Sequence, residues 1–502
     1  AASMLGSCGA GLCIATLLAA ASAATTSSQQ CATTPQCRCF HEDDDEAPCE
    51  EEQEFSRLLA WVQQAVDTAV PEEHREGLPA LAEVLALKRP WHGGRMIVAA
   101  RDLGANELMM RLPLSTLMHA GYYKALRPGS ALLGTADPNS EATSQAAASG
   151  SDPAFPGHQA SLAGALKKGL QGRELETFVA EQTWLAIFLL EHRSLGEASP
   201  WSTYLNFLPP SFRELPIFYG AEELQWLKGS SFVRRVQRHK ESLEAQYATL
   251  TELVPGFATN YSLEDYLWAR SAISTRVFGW RLPGLPADVT DFMVPLGDMF
   301  NHRSPKQIEW VYNRTTQSLD FWTREEIIKD MELHISYGGK CNSEYLLHYG
   351  FAVPGISARQ PPLSTVRLQV SLDSEVADRE EMERMLLKSK LKDEGPLEPE
   401  EFKLKAAWRG SEGEQLLGYA RLLSMPYAEV KQRFRSRSCR EFSTPPRCEQ
   451  AMGLENERAA LQRCHRAVEE ALGGYATSVE EDEKLLEELD LGIPRSLVLL
   501  RR

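Results

Sequence analysis

The sequence predicts an α+β protein: small β-sheets divided by a helical insertion and followed by an all-α C-terminal domain. Three observations carry this. Short β-prone runs stand at 95–113 and again at 292–337. Between them, from about 174 to 266, apolar residues recur at helical spacing. Beyond about Val366 that spacing returns. A chain of 502 residues has room for about two to three domains. The boundaries are placed at 53–365 for the sheet-bearing domain, with 128–165 as a flexible insertion and 166–290 as the helical one, and at 366–495 for the C-terminal domain.

Taken in order, the elements have local reasons. Gly11 to Ala24 is a small, apolar run, shorter than the about 20 residues that a bilayer span needs. No basic residue precedes it, so a plastid or secretory leader and an Ala-rich tail both fit. Residues 25–52, with EDDDE at 42–46, carry too little apolar surface to offset ordering entropy and are expected to be disordered. A first amphipathic helix is expected from Phe55, with Phe55, Leu58, Leu59, Trp61 and Val62 on its apolar side. Ile97-Val98-Ala99 and Leu108-Met109-Met110 read as two strands with a turn between them at 103–106. Trp184, Ile187 and Phe188 mark a strong helix, and Pro209-Pro210 stops the helical run that follows. Another helix is expected from Leu263 to Ile273, with Ser262 as its cap and Asp265 in its first turn. Toward the end, Ser411 and Glu414 resemble a capping box, as do Ser478 and Glu481. Leu454, Leu461, Cys464, Val468 and Leu472 form an apolar stripe that Gly473-Gly474 can terminate.

The net charge of -16 excludes the basic footprint of a nucleic-acid binder and otherwise speaks to solubility. Six of the ten cysteines fall in the first 49 residues, and no CxxC is matched by a second CxxC, so a structural zinc site is not indicated. Cys37-x-Cys39 with His41 sits in the acidic tail and reads as part of it; no metal is expected.

The chemistry concentrates in two blocks. PLGDMFNH, 295–302, ends in Asn301-His302, and ISYGGKCNSEYLLHYGF follows with Tyr337 and Tyr349. Gly93-Gly94-Arg95-Met96 opens a strand, and glycines there let a ligand approach the backbone. The Asn301 amide can donate and accept at once, whereas His302 need not titrate to be useful. Arg276, in SAISTRVFGW, offers a guanidinium fork suited to a carboxylate.

These blocks, with SPWSTYLNFLP from Ser199 and the late LENERAAL and YATSVEEDEKLL segments, resemble SET-domain protein methyltransferases of the RuBisCO large-subunit lysine methyltransferase-like branch. The resemblance implies a knotted SET domain and a C-terminal substrate-binding domain. It also implies S-adenosyl-L-methionine as cofactor and protein-lysine N-methylation as activity. In its terms Gly93, Gly94, Arg95 and Met96 form a cofactor loop, and Arg276 (after Thr275, where the family has Ser), Asn301 and His302 complete the cofactor site. Tyr337 takes the place of the catalytic tyrosine, while Tyr349 and Phe278 wall the acceptor channel. A histidine-directed relative has Asn where this chain has Phe278, which favours lysine. A histidine-directed enzyme and a catalytically silent SET-like binding module are the alternatives. The expected partner is a protein held by the C-terminal domain of a monomer, with neither nucleic acid nor membrane insertion. The residues after Phe351, AVPGISARQPP, depart from the family pattern of an Asn followed by an Asp.

Overall fold

The computed structural model describes residues 50–89, 94–119, 181–254, 256–285, 289–355, 365–373, 378–389, 397, 399–405, 411–439, 445–489 and 493–501. The leader-like run, the acidic EDDDE run, Cys37, Cys39, His41, Gly93 and the 128–165 insertion lie outside these residues. Two compact units emerge: Ala1–Pro210, Leu253–Pro255 and Arg276–Tyr337 form the first, and Ser211–Glu252, Gly256–Thr275 and Gly338–Arg502 the second.

In the first unit α1 (Glu50–Ala69) buries Phe55, Leu58, Leu59, Val62 and Val66, the spacing of one helical face. It includes Glu50 to Glu54, ahead of the expected Phe55 and within the stretch expected to be disordered to residue 52. Helix α2 (Glu181–Ser194) is buried almost all round, from Thr183 to His192. Helix α3 (Ser202–Phe207) places Phe207 against α1, its ring 5.6 Å from that of Phe55.

The strands are short and their pairing is non-sequential. β1 (Leu85–Lys88) pairs antiparallel with β2 (Met96–Ala99). β3 (Leu108–Pro113), β4 (Met118–His119), β5 (Phe278–Gly279) and β6 (Asp291–Met293) follow, with β6 between β4 and β5 in one sheet. β7 (Asn301–His302), β8 (Ile308–Asn313), β9 (Ser318–Thr323) and β10 (His334–Ile335) complete the unit. β9 lies between β3 and β8, and β7 pairs parallel with β10. The strands expected at 97–99 and 108–110 both form, yet they pair with β1 and β9 and not with each other. A buried ion pair marks the choice: Arg111 of β3 donates to both carboxylate oxygens of Asp320 of β9, each at 2.7 Å. Such a charge is tolerated inside only when its partner is present and well oriented.

The second unit holds α4 (Phe232–Leu253) and most of α5 (Leu263–Arg276). The expected cap forms: the Asp265 amide donates to the Ser262 hydroxyl at 3.1 Å, and the Ser262 amide to the Asp265 carboxylate at 3.0 Å. Helix α6 (Asn342–Tyr349) ends on Gly350 at φ 80°. The C-terminal part is helical as expected: α7 (Arg379–Ser389), α8 (Ser411–Leu423), α9 (Tyr427–Arg435), α10 (Leu454–Gly473), α11 (Val479–Glu488) and α12 (Ile493–Arg501). It also contains an antiparallel pair that the all-α reading did not include, β11 (Thr365–Val370) with β12 (Glu400–Lys405). Leu368, Val370, Phe402 and Leu404 turn inward from it, the alternation of a half-buried sheet. They pack with Leu416, Tyr419 and Val430 into the core of this domain.

The stripe expected on α10 is corrected. Cys464 is buried, but Leu454, Leu461 and Leu472 are exposed, and the inward face is Ala460, Arg463, Cys464 and Ala467. Small residues let the helix approach closely. Buried Arg463 is met by the carbonyls of Ser371 and Leu423 and by Asp373 at 2.9 Å. Ser478 and Glu481 form the reciprocal capping box expected of them. Among the described residues no helix is long and apolar enough to cross a membrane.

Cys439 and Cys448, scattered to the eye in sequence, are joined as a disulfide. The Cys448 amide donates to the Gly418 carbonyl of α8 at 3.0 Å, so the bond ties the chain after α9 to that helix. Closing so short a loop constrains the unfolded chain. Cys448→Ser is expected to cost about 2–3 kcal/mol, read as a lower urea midpoint under non-reducing conditions.

Candidate active site

The PLGD sequence makes a turn that few side chains permit. Leu296 sits at φ 72°, a strained value for a residue with a β-carbon. A β-carbon on Gly297 would stand 2.7 Å from Val294 Cγ1 and 2.8 Å from Phe321 Cζ. The Asp298 amide closes the turn on the Val294 carbonyl at 2.8 Å. The chain then leaves along β7, where Asn301 is opposite His334 and His302 opposite Ile335.

That two-residue parallel ladder places Tyr337. Its amide donates to His302 Nδ1 at 3.0 Å, and its hydroxyl donates to the Phe300 carbonyl at 2.8 Å. An accepting Nδ1 puts the imidazole proton of a neutral ring on Nε2. The two rings stand 5.3 Å apart.

Asn301 joins this segment to the loop before β2. Its amide nitrogen donates to the Arg95 carbonyl at 2.9 Å and to Glu332 Oε1 at 2.7 Å. The Arg95 guanidinium pairs with Glu51 at the start of α1 and donates to the Phe207 carbonyl, the partly negative end of α3. It also lies 4.3 Å from the centre of the Phe207 ring. Burial, more than any charge, holds its pKa below the usual arginine value, although Glu51 works the other way. Gly94, at φ 89°, needs the freedom of a glycine, and none of the described residues lies within 4 Å of where a β-carbon would be. Met96 begins β2 opposite Lys88.

Two site residues were not among those expected. Asp298 is buried, and its Oδ2 accepts the Tyr204 hydroxyl at 2.5 Å. Arg276 stands beside it: Nη1 donates to the Asp298 carbonyl at 3.0 Å and lies 3.9 Å from Oδ1. Arg276 is thus engaged by protein groups, while its Nε is buried with no hydrogen-bond partner among the described residues. Burial raises the Asp298 pKa to about 6 against the lowering effect of Arg276, and burial also raises that of Tyr204. The signal was present in the sequence, where Asp298 is an acid inside an otherwise apolar run.

Phe278 lies opposite Phe292 in the β5–β6 pairing, and its ring is 5.6 Å from that of Trp310. Tyr349 belongs to the second unit. There it stands among Tyr345 and Phe351, with Lys340 Nζ 5.5 Å from its ring centre, and burial pushes its pKa up to about 12. The first unit therefore brings together Arg95, Asn301, His302 and Tyr337, with Arg276 on Asp298 close in sequence to them. Among the described residues no group of three or more His, Cys, Asp or Glu could hold a metal ion.

Gly297→Ala is expected to lower stability by about 1–3 kcal/mol, measured by urea unfolding, because two core side chains must move. A pH test addresses Asp298. Its folded pKa lies above the unfolded value, so its contribution is largest below pH 4 and declines as pH rises through about 6. The stability of the wild type minus that of Asp298→Asn should therefore fall by up to about 3 kcal/mol across that window.

Comparison with known proteins agrees with this architecture. Residues 377–502 match the family model described as Rubisco LSMT substrate-binding. The chain is 25% identical over 203 residues to the ribosomal lysine N-methyltransferase set10 of Schizosaccharomyces pombe, covering 40% of this chain and 36% of that protein. It is 26% identical over 318 residues to the chloroplastic [fructose-bisphosphate aldolase]-lysine N-methyltransferase of Arabidopsis thaliana, covering 60% of this chain and 61% of the other. With the actin-histidine N-methyltransferase of Homo sapiens the identity is 22% over 329 residues, 63% of this chain and 53% of that one. The matches thus span between about a third and three fifths of these relatives' lengths. Among solved structures, the SET domain of LSMT bound to lysine and AdoHcy superposes with a TM-score of 0.58 at 18% identity, over 89% of this chain and 88% of that one. Rubisco LSMT bound to AdoMet gives 0.57 at 18% identity, over 91% and 88%. The chain thus has the fold of Rubisco LSMT, and its residues 377–502 match the model of that protein's substrate-binding domain.

Proposed function

We propose that the chain is an S-adenosylmethionine-dependent protein-lysine N-methyltransferase, acting as a monomer on a protein held by its C-terminal domain. The observation that carries this is the fixation of Tyr337, with its hydroxyl on the Phe300 carbonyl and its amide on His302, one residue to either side of Asn301. Relatives named for lysine transfer and a neighbouring structure bound to lysine and AdoHcy support the reading.

When bound, S-adenosylmethionine supplies a sulfonium-activated methyl group that an amine can take. The residues present fit such a molecule. The buried Nε of Arg276, with no hydrogen-bond partner among the described residues, suits its carboxylate. Space at Gly94, open among the described residues, lets a ligand reach the backbone, and Asn301 offers an amide beside it. The acceptor must lose a proton first. A lysine with pKa near 10.4 is neutral in roughly one molecule in 2,500 at pH 7, a deficit of about 4–5 kcal/mol. An aromatic, water-poor wall disfavours the ammonium and lowers that cost, and Phe278 with Phe292 and Trp310 provides one. A hydroxyl that donates to a carbonyl can also accept, so Tyr337 can orient an amine N–H and aim the nitrogen lone pair. The channel role of Tyr349 rests on its place in the sequence motif. Histidine-directed transfer is the second reading, supported by the likeness to the actin-histidine enzyme. The rings of Phe292 and Trp310 beside Phe278 favour lysine, since an aromatic wall suits a neutral amine.

Calorimetry with S-adenosylmethionine is expected to show one site per chain; no binding would support a silent binding module. Tyr337→Phe is expected to lower transfer at least about a hundredfold with little change in cofactor affinity. Unchanged turnover would remove Tyr337 from its assigned role.

A further inference from the structure

The second unit contains a cavity of about 970 Å³ that plays no part in the site above. One side of it is basic. Arg234 and Arg235 of α4 and Arg367 of β11 line it, together with the hydroxyls of Ser231 and Ser343. Arg367 pairs with Glu401. Among the described residues, neither Arg234 nor Arg235 has a carboxylate within ion-pairing distance; Arg235 donates to the Ser343 hydroxyl at 3.2 Å. Burial first, and then the like charge of Arg367, hold the Arg235 pKa down, while Glu344 and Glu401 act the other way. The acids on the lining do not answer this charge. Asp482 is buried and takes the Thr477 hydroxyl at 2.7 Å, and Glu470 is exposed on α10.

The other side is apolar and open. Val366, Leu472 and Val479 line it while remaining 57%, 65% and 52% exposed. Leu472 is one of the α10 leucines that the helix turns away from its own core. Four consecutive residues of β11, from Val366 to Gln369, border the cavity. Alternate residues of a strand point to opposite faces, so a run of four means that the cavity follows the strand's edge. β11 has a strand partner on one side only, β12, among the described residues. An open strand edge with charged and apolar side pockets is the arrangement that captures an extended peptide.

We propose that this cavity docks an extended segment of a protein partner, laid along β11, in which acidic side chains facing Arg234 and Arg235 alternate with apolar ones facing Val366, Leu472 and Val479. The inference deepens the proposed function in one respect only: it takes the partner to be the protein that is methylated, bound at a distance along its chain from the acceptor residue. Its test involves neither cofactor nor transfer, so it can fail while the methyltransferase reading stands, and the reverse.

The experiment uses the full chain and a fluorescent synthetic heptapeptide alternating Leu or Val with Glu, followed by polarisation. Saturable binding is expected that weakens with salt, with amide exchange slowed at 365–370. The counterpart with Lys in place of Glu should not bind. Arg234→Glu changes an exposed side chain and should fold as the wild type does, checked by circular dichroism; about tenfold weaker binding is expected. Arg235→Ser should weaken binding similarly, and Val366→Asp should weaken it without touching a guanidinium. Equal binding of the Lys peptide, no binding of the Glu peptide, or undiminished binding by folded Arg234→Glu would overturn the proposal. Displacement of the peptide by millimolar inorganic phosphate as effectively as by unlabelled peptide would also overturn it, in favour of a small-anion site.

Discussion

The site depends on a ladder only two residues long. β7 and β10 run parallel, and in that register the residue two places beyond Ile335 must come back beside Phe300. Parallel pairing cannot be closed by a tight turn, and here the intervening chain spends itself on β8 and β9 before returning. The consequence is chemical. One tyrosine has both its amide and its hydroxyl committed to groups of a single short segment, so its ring has little freedom. Preorganisation of this kind is what orienting a nucleophile requires.

Beneath the ladder lies a buried polar group that stability alone would not select. Burying the Asp298 carboxyl is costly, and Tyr204 and Arg276 recover part of that cost. The same arrangement fixes the guanidinium and leaves its Nε with no acceptor among the described residues. The strained Leu296 and the crowded Gly297 point the same way: the PLGD turn is shaped by where it must deliver Asp298 and Asn301 rather than by local preference. Arg95 completes the frame, tying the loop before β2 to α1 and α3 through Glu51 and the Phe207 carbonyl.

Much of this was legible in the sequence, and what was not has identifiable causes. Asn301, His302, Tyr337 and Arg95 could be named because their motifs are contiguous and chemically distinctive. Tyr204 and Asp298 were passed over: one lies 94 residues from the other, and only folding shows that they meet. The strands at 97–99 and 108–110 were visible in their β-prone residues, but partners are chosen by distant groups such as Asp320, and no local pattern carries that information. On α10 the periodicity weighted leucines over alanines. The helix instead buries its small residues and an arginine that carbonyls satisfy, and this leaves Leu454, Leu461 and Leu472 outside. β11 escaped notice because a six-residue strand beside strongly helical neighbours offers only three alternations. The Cys439–Cys448 bond was equally hidden, since spacing alone does not pair cysteines.

The account comes down to a methyl group arriving on a lysine nitrogen. The direct measurement is incubation of the purified chain with methyl-labelled S-adenosylmethionine and a cell extract, followed by tandem mass spectrometry of the labelled protein. The account predicts label on the side-chain nitrogen of a lysine in a protein substrate. Label confined to histidine, or no transfer by a chain that is folded and binds the cofactor, would contradict it.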